Sequence, residues 1–93
     1  MALVDDVRGS LHITSKAMDG EIQALIDGAL ADMERAGIAP SYLTEDGIGP
    51  MEKCAVIFWC KSMFGFDNSD SDRVMDAYKA TVEGLKKIGR AHV

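Results

Sequence analysis

Between Lys53 and Lys61 the chain runs through seven consecutive apolar residues, Cys54-Ala-Val-Ile-Phe-Trp-Cys60. Pro50 stands just upstream, where a missing N–H is no loss at the first position of a helix, so the segment from Pro50 to Phe64 reads as a helix. At about 100° per residue such a run leaves no polar side, and a helix apolar all round must be covered all round. In a chain of 93 residues this requirement places the helix 50–64 centrally, with the remaining elements packed around it. After the run, Lys61 and Ser62 are its exits to solvent. A bilayer span needs about 20 apolar residues, so the run predicts a core helix and not a membrane anchor.

The remaining segments carry helical periodicity too. Leu3, Val7 and Leu11 recur at i, i+4 and i+8 with Val4 beside them, which predicts a short first helix with Asp5 and Asp6 in its first turn. Thr14, Ser15 or Asp19 is expected to cap the second helix. From Asp19 to Ala36, the residues Ile22, Leu25, Ile26, Ala29, Leu30 and Met33 fall within an arc of roughly 140°, and Gly37 is placed to end that helix in a left-handed cap. Gly28 lowers its helix propensity by up to about 1 kcal/mol relative to Ala, which marks a close helix contact or simple tolerance. Residues 37–50 are rich in turn formers and read as a long loop with a single turn around Ser41 to Leu43. The stretch Asp67-Asn-Ser-Asp-Ser-Asp72 reads as a loop and helix start capped by Ser69 or Ser71. In the last helix, Val74, Ala77, Tyr78, Val82, Leu85 and Ile88 share one face, and Gly89 ends it. With no sustained period of two and no internal repeat, the expectation is an all-α, small four-helix domain spanning 1–93: a short first helix and three longer ones.

Composition narrows the function classes. At 47% hydrophobic and 27% charged residues the chain is globular, but a domain this small buries only about 60–65% of its unfolded surface, so association would add needed stability. A net charge of -5 opposes an exposed surface built to grip nucleic acid, which depends on clustered Lys and Arg. The opening Met-Ala-Leu-Val-Asp-Asp has no basic n-region and is not read as a signal peptide, so the protein is expected to be intracellular when made. Cys54 and Cys60 would lie about 9 Å apart along a helix axis on different faces, unable to pair with each other, and are expected to be reduced, packed thiols.

No catalytic constellation emerges. Asp67, Ser69 and Ser71 alternate as in a calcium loop, yet Asp72 and Tyr78 stand where such a loop needs Gly and Glu. Gly47 and Gly49 lack the lysine and the preceding strand of a nucleotide loop. His12 has no nucleophile or carboxylate placed beside it by a motif and reads as a surface or loop histidine. Lys86, Lys87, Arg90 and His92 form a basic C-terminal patch that reads as a last helical turn complementing the dipole, with contact to phosphates or an acidic partner as the minor alternative. Met18, Met33, Met51, Met63 and Met75 read as core filler, with an adaptable contact surface as the minor alternative. No catalytic, cofactor or metal residues are assigned, and an enzyme is not expected.

With the helices placed, the chain resembles the small head–tail connector (adaptor) proteins of tailed bacteriophages, also known as DNA-packaging proteins. The residues carrying the resemblance are Leu11-His12-Ile13 closing the first helix, Asp19-Gly-Glu-Ile22 with Leu25-Ile26 and Ala29 in the second, and Pro50 with Ala55-Val56-Ile57 in the third. The final amphipathic helix fits as well. The resemblance is best from Leu3 to Phe64 and rests on hydrophobic patterns. It implies a ring of identical subunits at the virion head–tail junction, assembled from host cytoplasm and docked on the portal protein. Tail-side connector proteins would attach below, and DNA would pass through without sequence-specific binding. A closed ring needs two unlike patches on each subunit; the expected interface residues are Trp59, Phe64, Phe66 and Leu43, on the uncovered side of the third helix and in the loop 37–49. A small helical regulatory or ligand-binding domain, its third helix lining an internal pocket, is the alternative. A helical DNA-binding regulator is disfavoured by the acidic charge.

Overall fold

A computed structural model describes residues 3–13, 15–64 and 68–87, the side chains at 64 and 68–70 excepted. Four helices succeed one another: α1 (Leu3–Ser10), α2 (Asp19–Ala36), α3 (Pro50–Phe64) and α4 (Asn68–Leu85). Short 3-10 turns at Lys16–Met18 and Pro40–Tyr42 lead into α2 and into the loop before α3. Among the described residues there is no strand. α3 packs against each of the other three helices, most extensively against α4, so its central place follows from its apolar sequence as expected. One cluster joins all four helices, drawing Leu3 and Val7 from α1, Ile22, Ile26, Ala29 and Met33 from α2, Ala55, Val56 and Cys60 from α3, and Tyr78, Val82 and Leu85 from α4.

α1 has eight residues, too few to hold itself in water. Tertiary ties fix it instead. The Arg8 guanidinium donates to both carboxylate oxygens of Asp19 at 2.7 and 2.9 Å, joining α1 to the start of α2, and it also reaches Asp5. Hydrogen bonding to Arg8 holds the Asp19 carboxyl below its usual range. Lys53 of α3 pairs with Asp6 at 2.9 Å. The Leu3 N–H donates to both oxygens of Glu45, 3.1 Å each, so the loop caps a donor that α1 cannot satisfy itself.

Two helices end in the same motif with different residues. After α2, Gly37 adopts φ 112° and donates to Glu34 O, while Ile38 donates to Met33 O at 3.0 Å. After α1, His12 takes the left-handed position at φ 58°, donating to Gly9 O, and Ile13 donates to Arg8 O, both at 3.1 Å. Both are Schellman closures. His12 is exposed, and its visible role is this turn.

Several expectations are corrected. Asp19 is not a cap: it is the first residue of α2, and Ser15 caps only the 3-10 turn, its Oγ accepting from Ala17 N–H at 3.1 Å. α4 already begins at Asn68, so Ser69 and Ser71 lie inside its first turns and not before it. Cys54 is exposed and only Cys60 is buried. Met33 is core and Met18 and Met75 are half-buried, but Met51 and Met63 stand 40% and 48% exposed. The covering of α3 is therefore incomplete, because α1, α2 and α4 close one side of it and no other described helix is left for the far side. Ile88, Gly89, Arg90 and His92 lie outside the described residues.

Gly47 is required by space. A Cβ there would lie 2.0 Å from the Ser41 carbonyl oxygen and 2.9 Å from Thr44 Oγ1, which already accepts from Gly47 N–H. Backbone cannot yield to it as a flexible side chain would. Gly47→Ala is expected to cost about 1–3 kcal/mol and to lower Tm by roughly 4–24 °C in a thermal melt followed by circular dichroism.

Candidate functional site

One side of α3 is only partly covered by the other helices. Met51, Cys54 and Lys61 are exposed and Phe58 is half-buried; spaced i, i+3, i+7 and i+10, they fall within an arc of roughly 80° at 100° per residue. Ile57 flanks the stripe and is also half-buried. Elsewhere on the same helix Ala55, Val56 and Cys60 are fully buried, and burial pushes the Cys60 thiol up to about 12. Cys60 is inert at neutral pH, and Cys54 is the accessible thiol.

A second feature lies where α2, α3 and α4 meet. Asp32 and Arg35 from α2, Trp59 from α3, and Met75, Tyr78, Lys79 and Glu83 from α4 line an open groove of about 340 Å³. Trp59 meets the Tyr78 ring edge-on, centroids 5.2 Å apart at 61°. Its indole also lies over Gly28, 3.6 Å from where a Cβ would be. Gly28 therefore marks a close helix contact, and alanine fits there at ordinary contact distance. Tyr78 donates its hydroxyl to Asp32 Oδ2 at 2.7 Å, and Arg35 pairs with the other oxygen.

Burial opposes ionisation of Asp32, but the Tyr78 hydroxyl and the Arg35 guanidinium outweigh it, and the carboxyl sits below its ordinary 3.8. Burial, then the Asp32 charge, pushes the Tyr78 phenol up. A carboxylate with a depressed folded value stabilises the fold above its unfolded value, and that contribution is lost as pH falls through the folded one. Tyr78→Phe is expected to cost about 1–2 kcal/mol at pH 7. It should also flatten the acid limb of a stability–pH curve below about pH 4, because the carboxyl is then less depressed from 3.8.

A third region, also a groove, of about 350 Å³, is lined by Met18, Glu21, Ala24, Leu25 and Met63. Among the described residues no cluster of three or more His, Cys, Asp or Glu side chains can hold a metal ion. Among them, too, no helix is long and apolar enough to cross a membrane. Of the four residues expected at an interface, Trp59 is half-buried in the α2–α3–α4 groove and Leu43 is buried in the core. The Phe64 side chain and all of Phe66 lie outside the described residues. Of the stripe, Cys54 and Phe58 were hidden inside the apolar run, while Met51 and Lys61 flank it.

The family model for "Phage connector protein" matches residues 3–88. The chain belongs to the phage connector family. Neither a curated protein nor a solved structure gives a match. Membership gives the connector a structural role in the phage head–tail junction, and the family is not known for enzymatic activity. The match runs from the first described residue of α1 to just past the end of α4, so the described helices and both the stripe and the Trp59 groove fall within it.

Proposed function

We propose that this connector is one subunit of a ring that docks on the portal protein and joins it to tail-side connector proteins, with DNA passing through the ring. The observation that carries the reading is the family match over residues 3–88 together with the apolar stripe that α3 leaves uncovered. Met51 and Cys54 are exposed there, and a 93-residue chain gains stability by burying such side chains against a partner. The net charge of -5 suits a conduit, because a subunit of net negative charge holds phosphate weakly and slows its transit little. We place the finished ring in the virion, at the head–tail junction, after assembly in the host cytoplasm.

The test is association. Sedimentation of the purified connector at rising concentration, alone and mixed with portal protein, is expected to show a discrete large species, and electron microscopy should resolve it as rings. A strict monomer in both mixtures would overturn the reading.

A further inference from the structure

We propose that Asp46–Gly47 is a modification site at which the folded connector alters its own backbone, the Asp46 carboxyl closing on the Gly47 nitrogen and reopening as an isoaspartate. The chain holds three Asp–Gly pairs, Asp19–Gly20, Asp27–Gly28 and Asp46–Gly47. Their intrinsic reactivity is comparable, because glycine puts no side chain in the way of a carboxyl that turns back onto the next nitrogen. The folded structure separates them, since an intramolecular attack needs its reacting atoms oriented and nearly in contact. Asp27–Gly28 lies midway along α2, where side chains lean back toward the preceding turn and the Gly28 N–H is committed to the helical ladder. The Asp27 carboxylate also accepts from Gln23 at 3.0 Å. Asp19 opens α2 with both oxygens held by Arg8, at 2.7 and 2.9 Å. That bonding keeps its carboxyl below the usual range, and an ionised carboxylate has no hydroxyl to expel.

Asp46 is in neither situation. It is exposed, in a turn of the loop before α3, and among the described residues no hydrogen bond or ion pair holds its carboxyl. Its neighbour cannot be exchanged for a bulkier residue that would slow the attack, because a Cβ at Gly47 would lie 2.0 Å from the Ser41 carbonyl oxygen. The fold therefore keeps the labile pair. Thr44 restrains it: its Oγ1 accepts from the Gly47 N–H at 2.9 Å, and turning the Asp46 carboxyl onto that nitrogen breaks the bond. The chemistry balances with water alone. The Gly47 nitrogen bonds to the carboxyl carbon of protonated Asp46 and gives up its proton as the hydroxyl leaves, so a water departs and a cyclic succinimide remains. Water then adds to a ring carbonyl. Opening at the former main-chain carbonyl routes the chain through the side-chain carbon, which lengthens the backbone by a methylene and frees an α-carboxylate. The altered link falls between Glu45, which caps the Leu3 N–H, and Gly49, whose N–H donates to Glu52. It therefore loosens the starts of α1 and α3 together.

The test is ageing of the full-length protein at physiological temperature and pH, native and in urea, followed by peptide mapping with mass-spectrometric fragmentation that separates isoaspartate from aspartate. In the native sample isoaspartate is expected at position 46 well ahead of positions 19 and 27, whereas in urea all three pairs should react at similar rates. The aged native protein should melt below the fresh one, and Asp46→Glu, whose longer side chain disfavours ring closure, should lose both the product at 46 and that decline. Thr44→Val removes the hydroxyl and is expected to raise the native rate at 46 about fivefold, the equivalent of one hydrogen bond of about 1 kcal/mol. Thr44→Ser keeps the hydroxyl and should retain the slow rate. Native rates at 19 or 27 that equal or exceed the rate at 46 overturn the assignment. So does an intact Asp46 in native protein aged for as long as the urea sample needs to react. An unchanged rate in Thr44→Val of native helicity, or a Thr44→Ser rate as fast as that of Thr44→Val, overturns the restraining role of Thr44.

Discussion

Val56→Asp is expected to abolish the cooperative thermal transition of the connector, whereas Cys54→Asp, two positions earlier on the same helix, should leave it nearly unchanged. Val56 is fully buried in the cluster that joins the four helices. An aspartate there loses the packing of the valine and must either bury a charge without a partner or take up a proton, at a cost of several kcal/mol. A domain of this size has only about 5–10 kcal/mol in total. Cys54 is exposed, and a surface substitution away from special features changes stability by about 0.5 kcal/mol or less. Circular dichroism melts of the two variants at equal concentration decide the matter, since a helix covered on all sides within one chain would make both variants equally damaging.

The second large effect is expected at Glu52, 1% exposed and the sole charged residue in the buried set among the described residues. It is the third residue of α3, and its Oε1 accepts from the Gly49 N–H at 3.0 Å. This is the returning half of a capping box: Gly49 occupies the cap position, its carbonyl accepts the first helical bond from Lys53 at 3.0 Å, and Pro50 comes next. Glu52→Ala removes the bond to Gly49, strands a backbone donor and opens a void, together about 2–4 kcal/mol. Glu52→Gln keeps an acceptor in place and should cost about 1 kcal/mol. Urea unfolding of the two variants separates these values. Equal losses would assign the effect to charge alone, and near-neutrality of both would remove Glu52 from the residues that hold α3.

Much of the fold was legible because helices announce themselves locally. Pro50 opens α3 and Gly37 closes α2, each for a reason contained in its own backbone. The stripes Leu3, Val7, Leu11 and Ile22, Ile26, Ala29, Met33 are buried as their spacing requires. Contacts between distant residues were not legible in this way. Arg8 meets Asp19 across 11 positions, Glu45 reaches Leu3 across 42, and Asp32 takes the Tyr78 hydroxyl across 46. Each of these acids looks, in the sequence, like any solvated carboxylate. Glu52 likewise looks like a polar prelude to the apolar run, although its position three residues after Gly49 could have marked it as a capping partner. His12 gave no sign of its left-handed turn, because that conformation is usually signalled by glycine.

The order, type and approximate ends of the helices, and the demand that α3 be surrounded, are written in the residues themselves, because periodicity and terminal residues act over one or two turns. Which side of α3 is closed by its own chain and which is left partly open emerges only from the packing of distant segments. Where every position of a helix is apolar, the pattern carries no direction, and orientation comes from how α1, α2 and α4 can pack around it at once.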